Sequence, residues 1–504
     1  MTETTAPNQV ATRGQRWALP IVLAAVLVVP MSISGTAVAL PSISGDLGGS
    51  PSALQWVVNL FNLTFACFTL VWGSLADRLG HARLFMTGAG IFAAGSLLSF
   101  LAPSMLLLNT GRGIAGLGGA AIFSCGSAIL SSTFTGPKRV RAFALFGTMA
   151  GIGTAVGPTI GGLLTDSTGW RSVFVLHTVV LGIVLVASPL LGLKRPTDRA
   201  TGRLDWSGAA LLVLSLLALM TAIVQGNTWD WGSLATIGMF AAAVILFIVF
   251  GVAEHRHASP FLDLSLLRNP GFMAYCLVPV AASFGFVTLL TYLPSFLQFV
   301  SGMGSGAAGL TVLIMTFPVV VGPLFAGLLV QRGVRPATVI WISFAALIAG
   351  NLGLLLAGPG TAVGVIAVPL LLSGAGMGLS AGLVDGQALA LVDERQAGMA
   401  AGVINTLRLG SEAIAVAVYA SVLTALITRG TRARFGDDGG ELAAAISSGN
   451  RTDSIALAET GTSGNAAEVV GWIYTDAFHA TMIGLAVVVM LLAVGFGLLK
   501  RRTR

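Results

Sequence analysis

Residues 54–83 read LQWVVNLFNLTFACFTLVWGSLADRLGHAR. The first part of this stretch, residues 54–76, carries no charged side chain, and the charges begin only at Asp77. A helix of about 20 consecutive apolar residues is long enough to cross the hydrocarbon core of a bilayer. The stretch therefore predicts a membrane-spanning helix that ends in a short charged loop.

The composition indicates that such helices make up most of the chain. Of 504 residues, 55% are hydrophobic and 9% are charged, and the mean hydropathy is +0.89. Soluble domains are about 25% charged, so this composition excludes a soluble enzyme, a disordered protein and a coiled coil. The net charge of +7 suits nucleic acid at first sight, but the basic residues border apolar segments and form no continuous patch. We therefore expect an all-α polytopic membrane protein, embedded in the lipid bilayer, with no nucleic-acid partner.

Apolar segments of spanning length recur along the sequence. They lie at 18–40, 54–76, 84–102, 105–132, 142–165, 173–193, 206–225, 234–252, 272–298, 307–330, 337–357, 362–391, 399–428 and 477–499. Most are continuously apolar over about 20 residues, whereas barrel strands would alternate over about 10. The sequence therefore predicts fourteen membrane-spanning helices.

The positions of the basic residues agree with this count. Twenty of the 27 Lys and Arg lie at the two termini or in the even-numbered loops. Because short basic loops stay on the cytoplasmic side, both termini are predicted to be cytoplasmic. Residues 13–39 also resemble a signal peptide, with two arginines before an apolar run and an Ala-x-Ala site at its end. Cleavage there would spoil the charge pattern, so we expect the first span to remain.

Two pairs of similar strings indicate a duplicated half. Leu40-Pro41-Ser42 recurs as Leu293-Pro294-Ser295, and the string that begins at Gly73 recurs from Gly327, at offsets of 253 and 254. Parallel repeats of this kind occur in transporters, with the substrate site between the halves.

We therefore expect two six-helix halves and two additional spans. The predicted organisation is a tail at 1–17, a first half at 18–193, a linker with two inserted spans at 194–271, a second half at 272–499 with an external loop at 429–476, and a tail at 500–504. The loop at 429–476 is rich in Gly, Ser, Thr and acidic residues and is expected to be flexible.

The loop after the second span carries a candidate cytoplasmic gate. Its residues are Gly73, Asp77, Arg78, Gly80 and Arg83. Glycine allows close helix approach and a tight turn, and a carboxylate can pair with a cation or with a helix N-terminus across the loop. The alternative is that these are the ordinary basic residues that flank a membrane span.

The fifth span has glycines spaced four residues apart and an internal proline. The motif residues are Gly153, Gly157, Pro158, Gly161 and Gly162. A glycine stripe lets a second helix pack closely, and a proline kink in a membrane helix needs a packed or hydrated setting.

Charged residues inside the spans are candidates for proton coupling. They are Glu412, Arg112, Asp385 and Arg408. A charge in the hydrocarbon region is costly and therefore marks a functional site by default. Arg112 could instead be a structural residue bonded to backbone carbonyls, and Arg408 and Glu412, which are four residues apart, could form a static pair. Asp385, in the half of its span nearer the cytoplasm, could reach toward the membrane surface.

Several polar and aromatic residues could line a loosely specific cavity, although plain helix packing would give the same pattern. They are Ser32, Asn59, Asn62, Tyr292, Phe296 and Gln298. The chain has no nucleotide-binding loop, metal motif or catalytic triad. We therefore expect no enzyme activity, no cofactor and no bound metal.

Taken together, these motifs resemble those of the major facilitator superfamily. The Gly73–Arg83 string is similar to its loop signature, the string around Arg112 to its fourth-helix motif, and Gly153 to Gly162 to the fifth-helix motif of its drug:proton antiporters. The count of fourteen spans points to family 2 of those antiporters.

The resemblance implies proton-driven export of drugs or antibiotics by alternating access, with small molecules and protons as the ligands of a monomeric transporter. It also implies that Arg112 takes part in proton relay, that the Gly-Pro helix sets the direction of antiport and that Asp77 belongs to the cytoplasmic gate. Lys is scarce compared with Arg, which suggests a bacterium with a GC-rich genome. We therefore expect the protein in a bacterial cytoplasmic membrane. A self-made antibiotic or related metabolite is one candidate substrate.

The sequence departs from the family pattern at informative positions. Ser32 stands where the first helix of the family usually carries an aspartate, and Glu412 stands where many members have glycine. Without that aspartate, Glu412 or Asp385 is expected to bind the coupled proton. The alternatives are a proton-coupled importer of a small nutrient, a dedicated exporter of one endogenous metabolite, and a membrane receptor or scaffold without transport.

Overall fold

The computed structural model describes nine stretches of the chain. These are residues 13–48, 51–187, 189, 205–256, 265–393, 396–436, 439–447, 451–459 and 465–502. Within them the chain forms helices and short connections, and no strand occurs. The predicted all-α class is confirmed.

The first half contains six helices, and two further helices follow it. Their bounds are α1 (Arg13–Leu47), α2 (Pro51–Leu79), α3 (His81–Phe100), α4 (Met105–Thr133), α5 (Gly136–Thr168), α6 (Arg171–Ala187), α7 (Trp206–Trp229) and α8 (Leu234–Arg256). The linker before α7 lies mostly outside the described residues.

The second half contains broken and continuous helices. Their bounds are α9 (Ser265–Arg268), α10 (Pro270–Ala282), a π-helical segment (Ser283–Val287), α11 (Thr288–Ser301), α12 (Ser305–Gln331), α13 (Pro336–Gly353), α14 (Val363–Ser380), α15 (Leu383–Leu389), α16 (Ala397–Phe435), α17 (Gly439–Ser447), α18 (Arg451–Glu459) and α19 (Ala466–Arg501). The inserted helices α7 and α8 pack on each other, and α7 also contacts α2 and α16.

Thirteen spans among the described residues are long and apolar enough to cross a bilayer. The predicted sixth span, 173–193, corresponds to α6, an apolar helix whose 17 described residues make it shorter than those thirteen. Most of the predicted span beyond Ala187 lies outside the described residues. The described helices thus account for thirteen of the fourteen predicted spans by length, and α6 occupies the place of the remaining one.

The two halves meet along two pairs of helices, α2 with α16 and α5 with α12. The bundle end at which α2, α4 and α12 terminate carries a group of basic residues: Arg78, Arg83, Lys138, Arg139, Arg332 and Arg335. We refer to this end as the basic end. An added Cβ on Gly402 would lie 2.6 Å from the Cα of Leu70, and one on Gly151 would lie 3.0 Å from the carbonyl oxygen of Val319. Backbone therefore packs on backbone across the boundary between the halves.

The segment 429–476 is more ordered than its composition predicts. α16 continues to Phe435, α17 and α18 follow, and α19 begins at Ala466. Leu442 and Ile446 of α17 are buried, and α17 packs against α16. The expectation of a flexible loop was wrong for the described residues, because these apolar side chains on one face of α17 give the segment a surface to bury.

Candidate functional site

The gate motif joins the two halves through a carboxylate at a helix N-terminus. Asp77 of α2 accepts hydrogen bonds from the backbone N–H of Gly398 at 2.7 Å and of Met399 at 2.8 Å, in the first turn of α16. His81 lies 2.8 Å from the same carboxylate. The first N–H groups of a helix have no partner within it and carry partial positive charge. Of the two partners that the sequence left open, the helix N-terminus is the one that spans the halves.

Glycine is required at this junction. A Cβ added to Gly73 would lie 2.0 Å from the carbonyl oxygen of Gly398, and one added to Gly398 would lie 2.4 Å from the carbonyl oxygen of Gly73. Gly80 has φ +100 and makes the turn between α2 and α3. Arg78 is half-buried and Arg83 is exposed at the same end. The short glycine contact lets Asp77 reach the N-terminus of α16.

The glycine motif of α5 packs against α1 inside the first half. A Cβ on Gly153 would lie 2.4 Å from the carbonyl oxygen of Leu27, and one on Gly161 would lie 2.6 Å from that of Gly35. A Cβ on Gly157 would lie 2.0 Å from the side-chain Oγ of Ser34, Gly162 makes ordinary contact, and Pro158 lies within the helix. The motif therefore fixes the spacing of α1 and α5, and the preceding turns of α5 meet the second half.

Arg112 lies fully buried in α4. Its Nη1 donates to Ser32 Oγ at 2.8 Å, and its Nε donates to the carbonyl oxygen of Val57 at 2.9 Å. Its guanidinium carbon lies 4.4 Å from the centre of the Phe61 ring. Ser32, expected to line a cavity, is itself fully buried against Arg112.

The predicted twelfth span is broken close to the basic end. α14 ends at Ser380 and α15 begins at Leu383, and Gly382 between them has φ +74. A Cβ on Gly382 would lie 2.1 Å from the carbonyl oxygen of Phe143 in α5 of the other half. Discontinuous helices are a recurrent feature of transporter sites, and this one carries Asp385.

Asp385 pairs with Arg408. Nη2 of Arg408 donates to both carboxylate oxygens of Asp385 at 3.0 Å, and Nη1 donates to Asn405 Oδ1 at 2.6 Å. Asp385 is 4% exposed. Two arrangements that the sequence allowed are therefore wrong: Arg408 does not form its ion pair with Glu412, and Asp385 does not reach toward the membrane surface. The break before α15 turns the carboxylate inward, where α16 presents the guanidinium.

Glu412 lies one turn beyond Arg408 and is half-buried. Among the described residues its carboxylate makes no hydrogen bond or ion pair. The neighbouring Ser411 hydroxyl lies 2.8 Å from that of Ser283 in the π-helical segment. π-helical turns inside α-helices are often found at functional sites.

The remaining cavity candidates divide into two groups. Asn59, Asn62 and Tyr292 are half-buried and Gln298 is exposed, so these side chains can face an open space. Phe296 is buried and stacks on Phe478 with ring centres 4.0 Å apart. In this structure α19 covers it.

Sequence reasoning missed several residues of the site. Gly398 and Asn405 on α16 complete the contacts of Asp77 and Arg408. Tyr419 stacks on Tyr292 with ring centres 4.4 Å apart. Gly382 had a readable signal, since it ends a run of closely spaced glycines from Gly374. Asn405 and Tyr419 lack such a signal, because their roles depend on other helices.

The fold and this site define a polytopic membrane transporter rather than an enzyme. The chain belongs to the Major Facilitator Superfamily, whose family model matches residues 22–416. It is 32% identical over 393 residues to the multidrug resistance protein Stp of Mycobacterium tuberculosis, covering 78% of this chain and 72% of that protein. It is 31% identical over 439 residues to the puromycin resistance protein pur8 of Streptomyces alboniger, covering 85% of each. These relatives place the chain in the branch of multidrug and antibiotic resistance transporters.

A solved structure supports the fold. The human organic anion transporter MFSD10 superposes with a TM-score of 0.55 at 18% identity, over 94% of this chain and 99% of that chain. At this identity the likeness concerns the fold alone.

Proposed function

We propose that this protein exports amphipathic small molecules, such as drugs or antibiotics, in exchange for protons by alternating access. The names of its relatives support the direction and the class of substrate. It acts in the bacterial cytoplasmic membrane, with the basic end and both termini in the cytoplasm. The proton gradient is the energy source, and the protein acts as a monomer without a cofactor.

The observation that carries the proton coupling is the pair of carboxylates in the spans of the second half. Asp385 is held by Arg408, whereas Glu412 has no ion-pair partner among the described residues. A carboxylate that is not paired with a cation takes up a proton more readily than one that is held by a guanidinium. Glu412, one turn from Arg408, is therefore the group whose proton uptake changes the local charge, and the Asp385–Arg408 pair is its fixed neighbour.

The gate contacts suggest how one proton changes access. In the proposed cycle, the hydrogen bonds of Asp77 and the glycine contacts keep the basic end closed. Arg408 lies on α16, the helix whose N-terminus Asp77 caps. A change of charge at Glu412 therefore acts on the same helix that closes the gate, and release of α16 from Asp77 opens the cytoplasmic side.

The test uses inside-out vesicles acidified by respiration and a dye that reports internal pH. Lipophilic cations, neutral macrolide-like compounds and anionic antibiotics are added one at a time. Proton release that depends on the compound is expected for the natural protein and is expected to fall by at least tenfold in Glu412→Gln. Asp166→Asn, at an exposed position on α5, is the matched control and should release protons normally.

The outcomes separate the hypotheses. Release that persists in Glu412→Gln but is lost in Asp385→Asn keeps antiport and moves the proton to Asp385. Proton-driven transport of a compound in the opposite direction, toward the cytoplasmic face, would establish the importer. If vesicles that contain normal amounts of the protein release no more protons than vesicles without it, transport of the tested classes is contradicted.

A dedicated exporter of one metabolite is the second candidate. The relative from Streptomyces alboniger is named for resistance to a single antibiotic. In that case proton release would occur with one structural class of compound in the panel, whereas a multidrug exporter would respond to several.

A further inference from the structure

The guanidinium of Arg112 is a buried charge whose hydrogen bonds all go to neutral groups. Its partners are the Ser32 hydroxyl and the Val57 carbonyl, and Phe61 lies against its face. Nη2 is buried and has no hydrogen-bond partner. A charge in the membrane interior is costly unless it is paired or faces water. The side chain is fully buried, and the groups that it contacts belong to α1, α2 and α6, so we look for its counter-charge among the helices of the first half.

The described parts of α1 to α6 supply no carboxylate close enough. They contain Asp46, Asp77 and Asp166, each near a helix end. Asp46 is 14 residues along α1 from Ser32, which is about 21 Å at a rise of about 1.5 Å per residue, and it is bonded to Arg171. Asp77 is 20 residues along α2 from Val57, about 30 Å by the same measure, and it caps α16. Asp166 is exposed near the end of α5.

Other buried polar atoms without a hydrogen-bond partner include two from α1 and α6. Thr36 Oγ1 and His177 Nδ1 are buried and make no hydrogen bond. Thr36 is one turn from Ser32 on the same face of α1. His177 and Arg112 both contact Phe174, at 6.2 Å and 5.9 Å from the ring centre. Buried polar atoms are nearly always satisfied by protein, water or a ligand, so these two atoms and Nη2 of the cation are the groups here that are available to a bound ligand.

We propose that Arg112, Ser32, Thr36 and His177 form a binding site for one monovalent anion. The anion supplies the negative charge, accepts from Arg112 Nη2 and from the Thr36 hydroxyl, and accepts from His177 in the tautomer with a proton on Nδ1. The site is enclosed by the rings of Phe61, Phe92 and Phe174. Its source is either a small anion from solution or the acidic group of a transported compound. The second source rests on the proposed function, whereas the site itself does not.

The first experiment measures thermal unfolding of the purified full-length protein in potassium chloride and in potassium gluconate, whose polyol chain would lose its hydration between the aromatic rings of the site. A bound ligand stabilises the folded state in proportion to the logarithm of its concentration once the site is saturated. We expect chloride to raise the midpoint by at least about 2 °C. In Ser32→Asp the introduced carboxylate pairs with Arg112, and the chloride effect is expected to disappear while the midpoint in gluconate rises.

A second variant, Thr36→Val, keeps the shape of the side chain and removes one hydroxyl. It is expected to raise the chloride concentration for half of the effect by at least fivefold, and it provides a second measurement if Ser32→Asp fails to fold. The matched control is Ser167→Ala, which removes an exposed hydroxyl near the end of α5. This control should leave the chloride effect unchanged.

Benzoate in a gluconate background, with benzamide as its neutral counterpart, identifies the source. If chloride raises the midpoint and benzoate does not, the site binds a small anion from solution. If benzoate raises the midpoint and chloride does not, the site binds the acidic group of an amphipathic ligand. If the two anions compete, one site accepts both. The proposal is overturned if neither anion acts, or if each acts equally on Ser32→Asp. Because no transport is measured, failure here is distinct from failure of proton-coupled efflux.

Discussion

Arg171 connects three helix ends at the end of the bundle opposite to the basic end. Its Nη1 donates to Asp46 Oδ2 at 2.5 Å and its Nη2 donates to the carbonyl oxygen of Ala102 at 3.0 Å. Trp170 Nε1 donates to the same carboxylate at 3.1 Å. The hydrogen bond from Arg171 and, to a smaller extent, the one from Trp170 hold the pKa of Asp46 below its ordinary value of 3.8.

This lowered pKa predicts a pH-dependent effect of Asp46→Asn. A carboxyl group whose pKa is lowered by folding contributes stability above its unfolded pKa and loses it as the pH falls through the folded pKa. We expect a small destabilisation at pH 7, since both side chains are substantially exposed, and no difference from the natural protein well below the folded pKa. Thermal midpoints from neutral pH down to about pH 3 measure the onset of this loss. A difference that stays constant over this range would contradict the assignment.

At the residue scale, the sequence predicts which side chains carry charge but not which partners they choose. Arg408 and Glu412 are in register for an i, i+4 pair, yet Arg408 pairs with Asp385, 23 positions away. The choice depends on the break before α15, which is a tertiary feature. Asp77 was more predictable, because a carboxylate that follows a close-packing glycine at a helix end is well placed to cap a neighbouring helix.

At the scale of the element, the break between α14 and α15 is the feature with the strictest backbone requirement. Gly382 has positive φ, and an added Cβ there would meet the Phe143 carbonyl of the other half. An L-residue at such a φ costs about 1–2 kcal/mol, before any steric overlap. The broken span and the close approach of α5 therefore depend on the same residue.

Gly382→Ala is therefore expected to lower the thermal midpoint and to reduce efflux by at least tenfold, because its Cβ would collide with backbone at the junction of the halves. Gly364→Ala is the matched control in α14, where an added Cβ meets no atom within 4 Å. Unfolding curves and substrate efflux are measured for both variants. Normal efflux in Gly382→Ala would show that the contact with α5 is not needed in the transport cycle.

Most elements were predictable from apolar length and charge, since the spans depend on hydropathy alone. The π-helical segment at Ser283–Val287 and the helices within 429–476 were not. The π-helical segment and α17 pack against α16, and α18 packs against α17 and α19, so their positions depend on contacts that their own residues do not specify. Spans that contact lipid on one side are therefore easier to read than segments that are fixed by other helices.

At the scale of the whole molecule, the charge pattern predicts the orientation in the membrane. Alkaline phosphatase fused after Gly436, between α16 and α17, is expected to be active because this position is external. Fusion after Gly80, between α2 and α3, is expected to be inactive, and a green fluorescent protein after Arg504 is expected to fluoresce. These activities, normalised to the amount of each fusion, report the orientation. The reverse pattern would place the basic end outside.

The glycine contacts between the halves also have a consequence for the speed and ease of the conformational cycle. Gly73, Gly398, Gly147 and Gly382 bring main chain against main chain at the basic end. Glycine has no side-chain rotamers to immobilise, so closing this interface restricts few torsions and opening it releases few. The two states can then be nearly equal in free energy. A shift of one pKa unit at a single carboxyl, about 1.4 kcal/mol, is enough to change their ratio about tenfold.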